Sequence, residues 1–326
     1  MNLEDFDYEL PKELIAQEPA TPRSNSRLMI VRNNNIEHKH FSDIIDYLEK
    51  GDTLVINESK VSHAKLIGKK STGAKAEIIL EKKIVGGYLC RIKTSKPNAG
   101  TEFIFKNNLK ATIISRNNDK FKIKFNKQPS TQLILPTPPY IKQKIKDKDY
   151  QTVFAKQQGS LAAPTAGLHF TNDILKKIKK KGVNIAKVCL HISFGTFLPI
   201  KDNDFSKHKM DKETFSINKT NADIINNTKG RLITVGTTSL KTLESANYNN
   251  GNIQPTKGDS NVFIYPGHKF KSKTSAMITN FHLPKSTLLL LVSAFYGRSR
   301  MLNAYNEAVK KKYRFFSLGD AMLLIK

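Results

Sequence analysis

Cysteine is scarce in this sequence of 326 residues, where only Cys90 and Cys189 occur. Both lie in apolar, strand-like stretches, in which a small buried thiol packs well. Two cysteines about a hundred residues apart cannot supply a three-cysteine iron–sulfur motif or a cysteine-rich zinc site. The count therefore excludes an iron–sulfur radical enzyme and favours a protein of the reducing cytoplasm.

Long apolar runs are also missing. The longest, Leu288 to Val292, falls far short of the roughly 20 residues that a helix needs to span a bilayer. The first fifteen residues contain acidic groups and lack the basic-then-apolar order of a signal peptide. We therefore expect a cytoplasmic, globular protein that does not enter a membrane.

Acidic residues are few, since 28 Asp and Glu oppose 54 Lys and Arg and leave a formal net charge of +26. Such a charge attracts polyanions, of which RNA and DNA are the commonest inside cells. The basic residues are 45 Lys and 9 Arg, a bias that an AT-rich genome also produces, but exchanging Arg for Lys does not change the net charge. A nucleic acid held by its phosphates is therefore favoured over a merely basic surface, which stays the alternative.

Residues 63–150 differ in pattern from the chain on either side. Six short runs rich in β-branched and aromatic residues alternate with Gly and Asn turns, which predicts a small antiparallel barrel or sandwich. One run, KFKIKF, puts Phe121, Ile123 and Phe125 on one face and three lysines on the other. A proline-rich, charged stretch after it is typical of an exposed connection.

Helix and strand patterns alternate in residues 1–62 and 151–326. FSDIIDYLEKG predicts an amphipathic helix that ends near Gly51, and the strand TLVIN follows it. NVFIYPG, residues 261–267, continues the alternation. We therefore predict an α/β main domain formed by both ends of the chain, with the small antiparallel β-barrel domain inserted.

One strand-to-helix junction gives the best local chemical signal. The strand RLITV leads into Gly236, Thr237, Thr238 and Ser239 and then into a helix, so backbone N–H groups and hydroxyls are presented to an anion. A carboxylate or phosphate could bind there, or Thr238 or Ser239 could simply cap the helix. Both interpretations stay open.

Two histidines lie where strands are predicted to end. His282 stands with Asn280 and Lys285 in TNFHLPKST, before an apolar helix, and His191 ends the strand of LHISFGTF. Polar groups at such junctions often face a ligand crevice. The alternative is that these histidines satisfy loop backbone or the core.

The familiar nucleotide and metal motifs give no support. No Walker loop, G-x-S-x-G elbow, H-E-x-x-H pair or G-x-G-x-x-G turn occurs in the sequence. HKMDKETF combines His208, Asp211 and Glu213, but charges in so polar a segment are usually solvated. We therefore expect no metal.

Seven segments match the motifs of one known family, and they read DFDYELPKELIAQEPATPRSNSRLM, YQTVFAKQQGSLAAPTAGLHFT, HISFGTFLPI, GTTSLKTLES, NVFIYPG, TNFHLPKSTLLLLVSAF and YRFFSLGDAMLLI. The match runs in consistent order from Leu3 to Ile325, and AAPTAGLHF and NFHLPKSTL are highly specific. The chain therefore resembles the S-adenosylmethionine:tRNA ribosyltransferase-isomerases of the queuosine pathway.

The resemblance implies that the ribosyl group of S-adenosylmethionine is transferred to 7-aminomethyl-7-deazaguanine, which already occupies the wobble position of certain tRNAs. The ribose rearranges to an epoxycyclopentanediol, adenine and methionine leave, and epoxyqueuosine is formed. The implied partners are S-adenosylmethionine and tRNA, with no metal or redox cofactor. The resemblance also implies an α/β domain with an inserted β-barrel, and we expect a monomer.

Several positions depart from the family pattern. Lys60, Lys65 and Lys241 stand where Arg is usual, residues 62–63 are Ser-His in place of an apolar residue and Pro, and Leu318 replaces Tyr. Lysine preserves the charge but cannot form a bidentate contact. These positions are therefore weaker candidates for substrate contacts.

The implied reaction needs a base for the proton on the ribose 5′-carbon, which the sulfonium acidifies, and a proton donor for adenine. A histidine with a pKa near 6.5 can serve either role. His169, in the almost uncharged stretch GSLAAPTAGLHFT, is the preferred base. The catalytic candidates are His169, His191, His282 and Asp320, with Glu213 as a further possible base.

The substrate-binding candidates are Thr165, Gly167, Phe170, Gly195, Thr196, Thr237, Thr238, Ser239 and Asn280, and Phe194 and Phe281 are further rings that could stack on a base. The RNA-binding candidates are Arg23, Arg27, Lys285 and Arg314.

Two other functions compete with this hypothesis. A non-catalytic basic RNA-binding protein would bind tRNA with steep salt dependence and release no adenine. A conventional S-adenosylmethionine methyltransferase is weaker, because the Gly-rich nucleotide turn is missing. Its product would be S-adenosylhomocysteine.

Overall fold

The computed structural model of the chain describes residues 1–33, 35–143, 145–197, 200 and 202–326. Contacts divide the chain into a larger unit, Met1–Lys60 with Pro139–Lys326, and a smaller unit, Val61–Pro138. In chain order the strands are β1 (Arg27–Arg32), β2 (Asn35–His40), β3 (Thr53–Asn57), β4 (Ser59–Val61), β5 (Lys65–Lys70), β6 (Lys75–Ile84), β7 (Gly87–Lys93), β8 (Glu102–Ile104), β9 (Lys110–Asn117), β10 (Lys120–Phe125), β11 (Gln157–Ser160), β12 (Asn184–Leu190), β13 (Glu213–Ile217), β14 (Leu232–Val235), β15 (Tyr248–Asn249), β16 (Asn252–Ile253), β17 (Thr256–Ser260), β18 (Thr274–Asn280) and β19 (Ala321–Ile325). The α-helices are α1 (Asn172–Lys180), α2 (Lys219–Asn226), α3 (Thr237–Ser245), α4 (Thr287–Tyr296) and α5 (Arg298–Lys310). Short 3₁₀ helices span Leu3–Phe6, Lys12–Leu14, Arg23–Asn25, Phe41–Tyr47, Ser130–Gln132, Asp147–Tyr150, Thr165–His169, Phe194–Phe197 and Phe205–Lys207.

The larger unit is built on a nine-stranded sheet in the order β17-β13-β12-β3-β14-β18-β19-β1-β2. Strands β12, β3, β14 and β18 are parallel, whereas β19 and β1 run antiparallel to β18. The chain leaves β3 toward β12 on one side and leaves β14 toward β18 on the other. Connections therefore diverge between β3 and β14, and α/β proteins bind ligands beyond the carboxyl ends of strands at such a point.

Helices cover both faces of this sheet because its central strands are apolar on both faces. Strands β3 and β19 are buried along their whole length. On one face Leu28 and Ile30 pack with Ile174 and Ile178 of α1. On the other face their neighbour Met29 packs with α4 and α5. This arrangement confirms the predicted α/β domain made from both ends of the chain.

The smaller unit is a closed barrel in the order β10-β7-β6-β5-β8-β9. Its six strands correspond to the six predicted runs, and all adjacent pairs are antiparallel. Phe121 and Ile123 of β10 are buried in the barrel core, whereas Lys124 is exposed. The alternation in KFKIKF therefore correctly predicted which side chains face the barrel core. Because the barrel is closed, its six strands leave no free sheet edge.

Residues 139–150 belong to the larger unit, although the sequence pattern placed them in the insert. The ring of Tyr140 lies 4.2 Å from that of Phe316. The guanidinium of Arg23 donates to the carbonyl oxygen of Lys148 at 3.0 Å. Ring packing and backbone hydrogen bonds hold this charged segment, and composition does not reveal either.

The helix predicted before β3 is shorter than expected. It is a 3₁₀ helix, Phe41–Tyr47, and it ends four residues before Gly51. The carboxylate of Asp52 accepts the N–H of Glu49 at 2.9 Å, so a side-chain turn replaces a further helical turn. Among the residues that the structure describes, no helix is long and apolar enough to cross a bilayer.

Candidate functional site

A cleft of the larger unit lies at the carboxyl ends of the parallel strands, beside the point where the connections diverge. Its empty volume of ≈ 830 Å³ includes the opening to solvent. Of the residues singled out in the sequence, the cleft brings together Thr165, Thr196, Glu213, Thr237, Thr238, Asn280 and His282.

The first turn of α3 faces this cleft. Gly236 precedes the helix with a φ of +85°, which glycine adopts without steric cost. Thr237 and Thr238 line the cleft, and the buried hydroxyl of Thr238 has no hydrogen-bond partner among the described residues. The hydroxyl of Ser239 instead donates to the carbonyl oxygen of Val235 at 2.7 Å. Free first-turn N–H groups and an unpartnered hydroxyl suit an anion, whereas the Ser239 hydroxyl is engaged with the end of β14.

A buried ion pair forms part of the wall. Lys241 Nζ lies 2.8 Å from Glu213 Oε2, and the two side chains are 8% and 3% exposed. The other oxygen, Oε1, accepts the N–H of Ser193 at 2.8 Å and the hydroxyl of Thr196 at 3.1 Å. Both carboxylate oxygens are therefore engaged and the buried charge is compensated. The single ammonium group of Lys241 compensates the Glu213 carboxylate. Lysine can therefore serve at position 241, where the family usually has an arginine capable of a bidentate contact.

His282 lies in the wall of the cleft. Its Nε2 is 2.9 Å from Thr279 Oγ1, and its backbone N–H donates to the hydroxyl of Tyr305 at 3.0 Å. Burial lowers the pKa of His282 to about 3, so the ring is neutral near pH 7. A neutral imidazole in a cleft can accept a proton or hold a polar substrate group.

His169 is enclosed in a hydrogen-bond network and does not line the cleft. The Asn280 amide donates to Nε2 at 3.1 Å, so Nδ1 carries the proton and donates to Ser26 Oγ at 2.7 Å. Thr165 in turn donates to Asn280 Oδ1 at 3.0 Å. Burial, with the nearby charges of Arg314 and Arg23, lowers the pKa of His169 to about 3. Both ring nitrogens are engaged. The arrangement therefore suits a role in which His169 orients the cleft residues Asn280 and Thr165.

His191 is also held by local contacts outside the cleft. Its Nδ1 lies 2.7 Å from Ser59 Oγ, and its Nε2 lies 3.7 Å from Cys189 Sγ. A Cβ on Gly159 would come within 2.9 Å of the imidazole, so the ring packs directly on backbone. Burial lowers the pKa of His191.

Asp320 is fully engaged within the protein. Its carboxylate accepts the N–H groups of Arg27 and Arg314 at 3.1 and 2.8 Å, and the Arg314 guanidinium at 3.0 and 3.2 Å. The Arg27 guanidinium lies 3.7 Å from the ring centroid of Tyr313. These contacts fix the start of β1 beside the start of β19.

The other two predicted RNA-binding side chains also contact the protein. Arg23 donates to the carbonyl oxygen of Gln151 at 3.1 Å. Lys285 Nζ lies 2.7 Å from Glu4 and 2.9 Å from Asp7. Contact between any of the four side chains and RNA stays a prediction.

Three further candidates pack within the fold. A Cβ on Gly167 would lie 2.6 Å from the Phe154 ring, and one on Gly195 would overlap the Asp211 carboxylate. Phe170 is fully buried in the same core cluster as Ile174 and Ile178, where its ring contacts that of Phe41. Close packing constrains all three residues, and contact between them and the substrate stays a prediction.

Sequence reasoning missed the aromatic side chains of the cleft. Phe263 and Phe316 line it, whereas Phe170 and Phe281 are fully buried. Residues 261–267 form no strand, which leaves Phe263 in a loop that reaches the cleft. The motifs NVFIYPG and YRFFSLGDAMLLI contained these two rings, but nothing in either motif distinguishes a ring that lines a cleft from one that packs in the core.

Metal-binding side chains do not cluster in the part of the chain that the structure describes, where no group of three or more His, Cys, Asp or Glu is suited to a metal. Cys90 and Cys189 are free and buried. Burial raises the pKa of the Cys189 thiol to about 11, so it is not a thiolate near pH 7.

Comparisons with known proteins agree with the fold. Residues 3–324 match the family described as queuosine biosynthesis protein. The chain is also similar to the crystal structure of S-adenosylmethionine tRNA ribosyltransferase from Thermotoga maritima, with 36% sequence identity and a TM-score of 0.57. That similarity covers 98% of this chain and 100% of the other, so it includes both units and supports a transferase rather than a non-catalytic RNA-binding protein. The chain therefore belongs to the queuosine biosynthesis protein family.

Proposed function

We propose that the protein transfers and isomerises the ribosyl group of S-adenosylmethionine onto 7-aminomethyl-7-deazaguanine at the wobble position of tRNA, with release of adenine and methionine. One observation carries the proposal. Side chains from four separate family-like motifs, represented by Thr165, Thr196, Thr238 and His282, meet in a single cleft. Family membership and the similarity to a tRNA ribosyltransferase support the same reaction.

In this proposal the first turn of α3 binds the methionine carboxylate. Its N–H groups and the Thr238 hydroxyl supply donors, and the helix N-terminus favours a negative charge. Phe263 and Phe316 offer ring faces for a base. The small residues 162–164 let backbone approach the sulfonium closely.

His282 is the preferred proton acceptor for the ribose 5′-carbon. It lines the cleft and its ring is neutral near pH 7, so it can accept a proton, although the burial that lowers its pKa to about 3 also makes it a weaker base than an ordinary histidine. Glu213 is less suited, because Lys241, Ser193 and Thr196 already engage its oxygens. His169 acts as a positioning residue through Asn280 rather than on the substrate.

The purified chain, S-adenosylmethionine and tRNA bearing the aminomethyl base should together release adenine, which chromatography detects. The matched control is the same tRNA with guanine at the wobble position, which lacks the attacking amine and should give none. Adenine released equally with both tRNAs, or S-adenosylhomocysteine in place of adenine, would refute the proposed reaction.

The same proposal includes no metal or redox cofactor, because the sulfonium activates the ribose and no net oxidation occurs. Adenine release should therefore be unchanged after treatment with a chelator. We also propose that the protein acts as a cytoplasmic monomer. Light scattering should then give a mass near 36.8 kDa, and twice that mass would contradict it.

A further inference from the structure

The positive charge of the chain is concentrated in the barrel. Residues 61–138 contain 16 Lys and Arg against 4 Asp and Glu, a net charge of +12 in 78 residues. The other 248 residues contain 38 basic and 24 acidic residues, a net charge of +14. The barrel therefore carries nearly half of the excess in about a quarter of the chain.

Lysines of this unit gather at one end of the β6–β7 hairpin. Lys82 on β6, Leu89 on β7 and Lys122 on β10 are direct cross-strand neighbours. Adjacent strands lie about 4.8 Å apart, so the Cα atoms of Lys82 and Lys122 are about 10 Å apart. Lys124 follows two residues after Lys122 on the same outer face. Among the described residues, none of these three lysines has an ion-pair partner.

The acidic side chains of the neighbouring strands are neutralised elsewhere. Glu81 pairs with Arg91 at 2.6 Å and with Lys120 at 3.1 Å. Asp119 also pairs with Arg91. Their charges therefore do not offset the lysines near the hairpin turn.

The turn of this hairpin holds an apolar side chain in water. Val85 is 93% exposed, the most exposed large hydrophobic side chain among the described residues. A Cβ on Gly87 would come within 2.1 Å of the Ile123 carbonyl oxygen, so β10 packs directly against the turn. Lys122 Nζ lies 3.6 Å from the position of a Cβ on Gly86. An exposed valine therefore stands among ammonium groups.

A shallow groove adjoins the turn. Lys83, Lys124 and Lys127 line it together with the ring of Tyr88. Ammonium groups bind phosphates, and apolar or aromatic side chains contact unstacked bases. This combination differs from a merely solubilising surface, which has no need of an apolar tip.

We propose that this hairpin face, defined as Lys82, Val85, Lys122 and Lys124, binds the phosphate backbone of tRNA, with Val85 against a nucleoside. The partner follows from the proposed function, on which this inference rests. Because lysine provides point charges, the contact positions the RNA and does not read its sequence.

The test replaces Lys82, Lys122 and Lys124 together by Gln in the full chain. Binding to tRNA bearing the aminomethyl base is measured by fluorescence anisotropy between 50 and 200 mM salt. We expect Kd to rise about tenfold or more and the slope of log Kd against log salt to fall by about 2 to 3. In the adenine-release assay the KM for tRNA rises, whereas the KM for S-adenosylmethionine and kcat do not change.

The matched control replaces Lys69, Lys75 and Lys93 by Gln. These exposed lysines belong to the same barrel but lie toward the other end of β6 and β7 and on the adjoining β5, about 13–23 Å away along the strands. Val85→Ser separates the apolar contact from charge, because it should weaken binding without changing the salt slope. Circular dichroism melts establish that each variant is folded.

Unchanged Kd and salt slope in the hairpin variant, or an equal loss in the control variant, would overturn the inference. If the wild type binds tRNA through these lysines but releases no adenine, the proposed function fails and the hairpin face stands. If it releases adenine and the hairpin variant binds tRNA normally, the proposed function stands and the hairpin face fails. A wild type that neither binds tRNA nor releases adenine overturns both.

Discussion

The ion pair between Glu213 and Lys241 should dominate the response of the larger unit to substitution. The two groups are 2.8 Å apart and almost fully buried. At an effective dielectric constant of about 20, unit charges at this distance attract by about 6 kcal/mol, and desolvation offsets part of this attraction. Lys241→Met or Glu213→Gln alone leaves one buried charge uncompensated and should lower the free energy of unfolding by about 3–5 kcal/mol.

The double variant should recover most of that loss. Gln at 213 still accepts the hydrogen bonds of Ser193 and Thr196, and Met at 241 fills a similar volume without charge. The four proteins form a double-mutant cycle, in which we expect a coupling energy of at least about 2 kcal/mol. Lys241→Arg keeps the charge and serves as the control.

Urea denaturation followed by circular dichroism at 222 nm measures the cycle. The α-helices of the described chain all lie in the larger unit, so this signal reports on the unit that contains the pair. Single-variant losses that simply add in the double variant, with a coupling energy below about 0.5 kcal/mol, would refute the reasoning.

Three further predictions concern the histidines and the cleft. The pKa values of His169 and His282 are lowered to about 3 in the folded protein, so between pH 3 and 6.5 the unfolded chain binds more protons. The stabilisation from these two histidines is therefore fully present above about pH 6.5. Below that pH, each histidine lowers the free energy of unfolding by about 1.4 kcal/mol per pH unit. His169→Asn should reduce this pH dependence, measured by urea titrations at pH 5 and 7. Thr238→Val should raise the KM for S-adenosylmethionine about tenfold without loss of stability. Ser239→Ala should instead lower the free energy of unfolding by about 1 kcal/mol and leave KM unchanged. The reverse pattern would contradict the proposed carboxylate site. His282→Gln should lower kcat about 100-fold or more, measured as adenine release, and a kcat within twofold of wild type would exclude His282 as the base.

The sequence predicted the architecture better than the roles of single residues. Strict alternation in KFKIKF assigns Phe121 and Ile123 to the barrel core, because successive side chains of a strand point to opposite faces. Likewise, GTTS follows β14 and TNFH lies at the end of β18, and both reach one cleft, because parallel strands end at the same edge of a sheet. Local pattern was sufficient wherever a short segment sets its own geometry.

The contacts of His169 could not be predicted in this way. Its two hydrogen-bond partners, Ser26 and Asn280, are 143 and 111 residues away in the chain. A motif shows that a histidine is present but not that both ring nitrogens are already engaged. The ion pair between Glu213 and Lys241 could not be predicted for the same reason, because its two residues come from different elements.

The place of β19 between β18 and β1 has a consequence for biosynthesis. Strand β1 pairs with β19 from Leu28 opposite Ala321 to Arg32 opposite Ile325, and 288 residues separate the two strands. At about 5–20 residues per second, a ribosome needs on the order of 15–60 s to make the intervening chain. During that time β1 exposes unpaired backbone groups that can pair with other nascent chains. The barrel, whose 78 residues are contiguous, can close while the rest of the chain is still being made, so a translational pause exposes the sheet to aggregation but not the insert.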